Sequence, residues 1–219
     1  MIRLKTLLIF ACLFLTGMAS SAQDPLHFEK EVAAMVAGDS AVNKKDVILF
    51  TGSSSIRLWK DMKRDFPDRN VLNRGFGGSE MTDLIFYADK LIFPYKPKAI
   101  FIYEGDNDLN SGKSPQEILN SAEELLALIR KKLPDGVPVY FITPKPSVAR
   151  WALKDKYLRY NVLLKAWCSK NKKVVYVDMW AALTDQHGEV LPDIFVEDGL
   201  HLNKRGYDIW SAVILRHLK

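Results

Sequence analysis

The feature that most constrains the fold is a regular alternation of short apolar runs with longer segments of helical spacing. The runs are rich in Val, Ile, Leu and Phe, which is typical of parallel strands buried on both faces of a sheet. We therefore predict an α/β fold in which helices cover both faces of a parallel sheet. The predicted strands are residues 47–50, 71–72, 100–103, 137–142 and 174–177.

The clearest helix is predicted at residues 115–132. Ile118, Ala122 and Ile129 recur there at helical spacing. Pro115 suits the first turn, and the segment ends before Pro134. The other predicted helices are residues 28–42, 81–93, 154–169 and 203–218.

The first 22 residues have the pattern of a secretory signal. Arg3 and Lys5 precede an apolar run at residues 7–15, and small residues follow as far as Ala22. A membrane anchor is disfavoured because the run is shorter than the roughly 20 residues that span a bilayer. We expect cleavage after Ala22, a single domain at residues 23–219, a secreted, periplasmic location and no stable membrane insertion after cleavage.

Charge and cysteine content narrow the class of protein further. Removing Arg3 and Lys5 from the 31 basic residues leaves 29 against 26 acidic ones. This small excess does not predict nucleic-acid binding, which requires basic residues gathered on one face. Cys12 lies in the expected signal, so Cys168 is the one remaining thiol and cannot form an internal disulfide.

Four polar clusters follow predicted strands or precede the last helix, at residues 52–55, 75–78, 105–108 and 198–201. The carboxyl ends of strands in an open α/β sheet converge on one crevice, so these clusters are expected to meet. Together they contain a nucleophile, possible oxyanion donors, a base and a carboxylate to orient it. Those are the components of an acyl-transfer site.

Each of the first three clusters also has a purely structural interpretation. Ser54 could cap a helix instead of acting as a nucleophile. Gly78 belongs to a glycine-rich turn, but a glycine also lets a substrate oxygen approach a backbone N–H. Asn107 could form a turn through its own backbone or donate its side-chain amide to an oxyanion. Asp106 and Asp108 suggest a cation site, but no further carboxylate is spaced to complete one.

The last cluster favours the catalytic interpretation. His201 lies three residues after Asp198, at the start of the last predicted helix. The carboxylate can then bond one imidazole nitrogen while the other accepts a proton, although the pair could also simply begin the helix. With Ser54, the two residues complete a triad in the order Ser, Asp, His.

The four clusters resemble blocks I, II, III and V of the SGNH (GDSL) hydrolase superfamily. Residues 73–78 (Asn-Arg-Gly-Phe-Gly-Gly) are similar to those of bacterial relatives of the platelet-activating-factor acetylhydrolase catalytic subunit. The resemblance runs from about residue 47 to the C-terminus. It implies a flavodoxin-like, three-layer α/β/α sandwich with a five-stranded parallel sheet, and no metal or cofactor.

Carried over by position, the resemblance makes Ser54 the nucleophile, Asp198 the orienting carboxylate and His201 the base. Gly78 and Asn107 become oxyanion donors beside the Ser54 N–H. Ser53 stands where the family usually has Asp, so the choice of Ser54 over the next serine rests on its spacing from the preceding glycine.

We therefore predict a serine esterase that works through an acyl-enzyme and removes short acyl groups, with acetyl as the predicted group, from a carbohydrate. Arg150 and Trp151 follow the fourth strand and are predicted to lie at the substrate rim. Two alternatives remain: an esterase of longer lipid acyl chains and a non-catalytic carbohydrate-binding module. The expected partner is a small ester or an acetylated glycan. The oligomeric state is not predicted.

Overall fold

A five-stranded parallel sheet forms the centre of the molecule. The structure, a computed structural model, describes residues 24–218. The strands are β1 (Ile48–Gly52), β2 (Val71–Gly75), β3 (Ala99–Tyr103), β4 (Val139–Ile142) and β5 (Val174–Val177). All neighbouring strands pair in parallel, in the order β2-β1-β3-β4-β5. This is the flavodoxin-like order, so the predicted sheet and fold class are confirmed.

Helices cover both faces of the sheet because side chains alternate along each strand. In β1, Leu49 packs in one core while Ile48 and Phe50 pack in the other. The helices are α1 (Glu29–Ala37), α2 (Ser54–Arg57), α3 (Met62–Asp65), α4 (Met81–Leu91), α5 (Asp106–Asn110), α6 (Pro115–Lys132), α7 (Lys154–Lys170) and α8 (Lys204–Leu215). Helices α1, α4, α6 and α7 lie over the first core, and α2, α3 and α8 over the second.

The predicted elements differ from the observed ones at their ends, and the short helices α3 and α5 were not predicted. β2 continues through Asn73 and Arg74 to Gly75, because backbone pairing with β1 does not require apolar side chains. The segment predicted as one helix at residues 28–42 is broken. Only Glu29–Ala37 is α-helical, with short 3₁₀ turns before and after it.

The strand register places the carboxyl ends of all five strands level with one another. Gly52 of β1 pairs with Gly75 of β2 and with Tyr103 of β3. Tyr103 in turn pairs with Ile142 of β4, which pairs with Val177 of β5. β1 and β3 are neighbours although β2 lies between them in sequence, which makes their junction the topological switch point. The residues after β1 and β3 therefore flank the natural ligand crevice of this fold.

Gly52 lets β1 end close against β3. Its φ is +116°, and a Cβ at this position would lie 2.1 Å from the Tyr103 carbonyl oxygen. The next residue, Ser53, donates its N–H to that same carbonyl at 3.0 Å. The turn into α2 is thus held at the switch point by a contact that only glycine permits.

The predicted signal segment lies outside the described residues. Between Asp24 and Leu218, none of the helices is both long enough and apolar enough to cross a bilayer.

Candidate active site

Ser54 is the first residue of α2, immediately beyond the turn at Gly52 and Ser53. Its side chain is partly exposed, and its Oγ lies 3.0 Å from His201 Nε2. Ser55 differs because it is only 2% exposed and lies on the buried side of the turn. The structure thus brings Ser54, and not its neighbour, to the imidazole.

His201 is held in place by a hydrogen bond from its other ring nitrogen. Nδ1 lies 2.6 Å from Asp198 Oδ2. The second carboxylate oxygen accepts the backbone N–H groups of Leu200 and His201, each at 2.8 Å. Gly199, which lies between Asp198 and Leu200, turns the chain with a φ of +62°. This turn aims the carboxylate at Nδ1, which leaves Nε2 to face Ser54.

The Asp198 carboxylate stays ionised down to strongly acidic pH. Desolvation acts to raise its pKa, but hydrogen bonds from the His201 ring and from the backbone N–H groups outweigh it and lower the pKa to about 2. An ionised carboxylate at this position stabilises the imidazolium that forms when His201 takes a proton.

Two backbone N–H groups of the predicted oxyanion site have no acceptor within the part of the protein that the structure describes. Among the residues from 24 to 218, no protein acceptor takes a hydrogen bond from the N–H of Ser54 or of Gly78. Gly78 faces the third predicted donor, since a Cβ on it would lie 3.7 Å from Asn107 Nδ2. The structure therefore brings Gly78 and Asn107 together next to Ser53, the residue before Ser54.

Both polar atoms of the Asn107 side chain are hydrogen-bonded within the protein. Nδ2 donates to Ser53 Oγ at 2.7 Å and to the Ser79 carbonyl at 2.9 Å. Oδ1 accepts from Arg150 Nη2 at 2.9 Å. Both amide hydrogens have acceptors in this structure, so an oxyanion would compete with Ser53 Oγ for one of them.

Ser53 replaces the aspartate that is usual in block I, and the structure gives it a specific contact. The side chain is 2% exposed, and its Oγ is the acceptor for Asn107 Nδ2. A hydroxyl can rotate and can also donate, so it releases an amide hydrogen more readily than a carboxylate would.

The two residues predicted at the substrate rim, Arg150 and Trp151, have different surroundings in the structure. The Arg150 guanidinium points inward to Asp106 and Asn107, and its side chain is 13% exposed. Trp151 stacks on Trp180 with ring centroids 5.9 Å apart and an angle of 15°. Lys154 Nζ lies 4.5 Å from the centroid of the Trp151 ring. The Arg150 guanidinium therefore faces into the domain. Trp151 is half-buried against Trp180, and its place at the substrate rim stays a prediction.

Two residues of the N-terminal segment support the glycine turn after β2. The Glu31 carboxylate accepts the Gly77 N–H at 3.0 and 3.1 Å and lies 3.6 Å from Arg57 Nε. The Phe28 ring fills the place where a Gly77 Cβ would be, since that atom would lie 2.0 Å from Phe28 Cε1. Sequence analysis missed both residues, because nothing in the pattern of α1 links it to a turn some 46 positions away.

A buried group of charged residues lies beneath the loops after β2 and β3. Glu80, Asp83, Glu104 and Asp108 are each at most 3% exposed, with Lys113 as their neighbouring cation. Burial raises the pKa of Asp83 to about 6 and that of Glu104 well above its ordinary value. This group adjoins the site through Ser79, whose hydroxyl donates to Glu104 Oε1 at 2.7 Å.

The comparison with protein families identifies the chain. Residues 36–209 match the model of the GDSL-like lipase/acylhydrolase family. This chain belongs to the GDSL-like lipase/acylhydrolase family. It is a carboxylic ester hydrolase with the fold of that family, which favours an enzyme over a non-catalytic carbohydrate-binding module.

The acylhydrolase is similar to proteins from animals and bacteria. It is 27% identical over 174 residues to platelet-activating factor acetylhydrolase IB subunit alpha2 of Gallus gallus, which covers 75% of this chain and 72% of the relative. Its fold resembles that of a Streptococcus pneumonia protein named for platelet activating factor, with a TM-score of 0.78, 23% identity and coverage of 87% and 92% of the two chains. A catalytic mutant of an acetylxylan esterase from Geobacillus stearothermophilus also shares the fold, with a TM-score of 0.66, 16% identity and coverage of 80% and 94%.

Proposed function

We propose that this acylhydrolase removes acetyl groups from a carbohydrate through a covalent acyl-enzyme on Ser54. The observation that carries the proposal is the continuous hydrogen-bonded chain from Ser54 Oγ through His201 to Asp198, with distances of 3.0 and 2.6 Å. A nucleophile bonded to a base that a third group orients is the arrangement that nucleophilic ester hydrolysis requires.

In the first half of the reaction, His201 Nε2 takes the hydroxyl proton while Ser54 Oγ attacks the ester carbonyl carbon. The carbonyl oxygen becomes an oxyanion and binds the N–H groups of Ser54 and Gly78. Asn107 Nδ2 supplies a third hydrogen by releasing Ser53 Oγ. The intermediate then collapses as the imidazolium returns its proton to the leaving alcohol.

The second half repeats these steps with water. His201 takes a proton from a water molecule, whose oxygen attacks the acyl carbon on Ser54. The same three donors hold the second oxyanion, and the imidazolium returns the proton to Ser54 Oγ as the carboxylic acid leaves.

The preference for a short acyl group is supported by the lengths and packing of the connections. Ser53 alone joins β1 to α2, and two residues join β3 to α5. The longest connection near the site, residues 178–203, places Leu183, Ile194 and Leu202 in the core beneath α8. These three apolar side chains therefore stabilise the domain and are not available to form a lid over a long acyl chain.

The names of two similar proteins agree on the acyl group but not on the alcohol. One is an acetylhydrolase, and the other is an acetylxylan esterase. We favour a carbohydrate because the turns that carry Ser54 and Asn107, after β1 and β3, are short and polar. The rival function is hydrolysis of longer lipid esters, which the family description also includes.

The nucleophile is tested by replacing the two neighbouring serines separately. We expect Ser54→Ala to abolish turnover of p-nitrophenyl acetate without changing the melting temperature. Ser55→Ala is the matched control and should retain most of the activity. Labelling by a serine-reactive fluorophosphonate, mapped by peptide mass spectrometry, should fall on Ser54, and labelling of Ser55 would refute the assignment.

The acyl group is tested with p-nitrophenyl esters from acetate to palmitate. A site that buried the chain would gain up to about 0.8 kcal/mol for each methylene, so kcat/KM would rise along the series. We expect it to fall. A preference for chains of eight carbons or more would favour the lipid esterase. Acetate release from acetylated xylooligosaccharides, compared with that from acetylated glycerides, then distinguishes the two alcohol classes.

The proposal extends to the location of the enzyme. The segment up to Ala22 has the pattern of a secretory signal. We expect the protein recovered from a periplasmic or culture fraction to begin at Gln23. An intact Met1 on active protein in the cytoplasmic fraction alone would contradict this location.

A further inference from the structure

Asp106 is the most heavily bonded carboxylate near the site. It is 4% exposed and accepts Tyr103 Oη at 2.8 Å, Lys145 Nζ at 3.1 Å and Arg150 Nη1 at 2.6 Å. The Tyr157 hydroxyl also donates to it. Burial alone would raise its pKa, but the two cations and the two hydroxyls hold the pKa well below the ordinary value. Asp106 is therefore a fixed, ionised anchor.

Arg150 joins this anchor to the amide that faces the nucleophile. Nη1 bonds both the carboxylate and the backbone carbonyl of Asp106, at 2.6 and 3.0 Å. Nη2 bonds Asn107 Oδ1 at 2.9 Å. One planar guanidinium thus holds two consecutive residues of α5, a helix of only five residues.

The bond to Oδ1 decides which way the Asn107 amide points. A guanidinium can only donate, so the amide oxygen must face Arg150 and the NH₂ group must face Ser53 and Gly78. The charge on the guanidinium also polarises the amide, which strengthens the hydrogen bonds that Nδ2 donates.

We propose that Arg150 is a positioning residue that orients and polarises Asn107 as an oxyanion donor. The inference rests on the proposed oxyanion role of Asn107. Arg150 does not contact substrate in this assignment, in contrast to the rim role expected from the sequence.

The geometry requires arginine at this position. Two separate nitrogens of a rigid fork must reach Asp106 and Asn107 at the same time. A lysine ammonium retains the charge beside Asp106 but lacks the second arm of that fork. Arg150→Lys should therefore keep much of the stability of the domain, but it should no longer orient and polarise the Asn107 amide.

The test measures kcat and KM for p-nitrophenyl acetate with Arg150→Lys and Arg150→Met. We expect kcat to fall by about 10–10²-fold in both, less than the 10²–10³-fold loss of a whole oxyanion donor. KM should stay within about twofold, because the ground-state carbonyl gains little from the oxyanion donors. Added guanidinium at non-denaturing concentration should restore part of kcat in Arg150→Met.

Tyr157→Phe is the matched control. The Tyr157 hydroxyl donates to the same Asp106 oxygen as Arg150, and its hydrogen bonds are to Asp106 and not to Asn107. We expect it to lower the melting temperature and leave kcat within about twofold.

A double-mutant cycle with Asn107→Ala decides between action through the amide and independent action. Once Asn107 is removed, replacing Arg150 should lower kcat no further. An equal loss in both backgrounds, a rise in KM or an unchanged kcat in the single Arg150 variants would each overturn the inference. If Asn107→Ala itself kept full kcat while Ser54→Ala was inactive, the oxyanion role would fail and this inference with it, but the Ser54 mechanism would stand.

Discussion

At the residue scale, the oxyanion role that we propose for Asn107 predicts a defined loss of turnover. We expect Asn107→Ala to lower kcat by about 10²–10³-fold with little change in KM, because the donor acts on charge that develops in the transition state. Steady-state kinetics with p-nitrophenyl acetate provide the measurement. Asn110→Ala, at an exposed position on the same short helix, is the control and should behave as wild type. Normal kcat with a lower melting temperature would show that Asn107 only shapes the turn.

Also at the residue scale, the proposed mechanism requires Asp198 to hold the imidazole of His201 in the tautomer that leaves Nε2 free to accept a proton. Asp198→Asn should lower kcat about 10³–10⁴-fold, since an amide that donates to Nδ1 would leave the proton on Nε2. Asp193→Asn changes a carboxylate in the same connection that pairs with Arg205, and it should retain activity. Fluorophosphonate labelling of Ser54 should slow in parallel with kcat in Asp198→Asn. Undiminished labelling would argue against this role.

At the scale of elements, the first turn of α4 contains a buried carboxyl group, Asp83, whose ionised form destabilises the fold. Asp83 Oδ2 accepts the Glu80 N–H at 2.8 Å, yet the carboxylate is 1% exposed and near other acids. Desolvation, the largest cause, raises its pKa from 3.8 to about 6. The folded state then binds a proton that the unfolded state has released. This group's contribution to stability is therefore complete below about pH 4 and is lost as the pH rises through about 6.

Asp83→Asn removes this cost because the amide oxygen can still accept the Glu80 N–H. Relative to wild type, the variant should gain stability as the pH rises from about 4 to above 6, by roughly 3 kcal/mol for the rise in pKa given above. Urea unfolding across that pH range measures the difference. Asp89→Asn, at an exposed position on the same helix, should show no such trend. A difference that shrinks with rising pH would contradict the cause assigned to Asp83.

The junction of β1 with α2 depends on one glycine. Gly52→Ala adds a Cβ that would lie 2.1 Å from the Tyr103 carbonyl oxygen at a φ of +116°. Gly112 has a φ of +99° with nothing within 4 Å of its Cβ position, so Gly112→Ala isolates the backbone strain and should cost about 1–2 kcal/mol. Gly52→Ala should cost several kcal/mol more or yield no soluble enzyme. Equal losses, measured by urea unfolding, would mean that β3 yields to the added Cβ.

At the scale of the whole molecule, the domain should need the chain from about residue 24 onward but nothing before it. A chain that begins at Gln23 should match the full chain in melting temperature and kcat. A chain that begins at Gly38 lacks Phe28 and Val32, whose burial contributes about 1.5–3 kcal/mol each, together with the Glu31 contact to Gly77. It should be less stable and less active.

Glu31→Ala in the longer chain keeps the apolar packing of α1, so a loss of kcat in that variant reports on the Gly77 turn alone. An unchanged melting temperature and kcat in the shorter chain would show that α1 is not needed by the domain.

The sequence by itself determined the strands, the longer helices and the sites of the polar clusters, because these follow from local periodicity and from the rule that strand ends converge. The helix at residues 115–132 matches its prediction at both ends, since Ser114 and Pro115 define its start. Element ends elsewhere were less predictable. β2 runs on through polar residues, and its length depends on pairing with β1.

Only the tertiary structure decided how the site is supported. The sequence placed Arg150 at the rim because it follows β4, whereas its guanidinium turns inward, 2.9 Å from Asn107. The contact of Glu31 with Gly77 and the bond from Asn107 to Ser53 likewise join residues 46 and 54 positions apart. Such pairings have no local signal, because they depend on the packing of whole elements and on where a buried charge finds its partner.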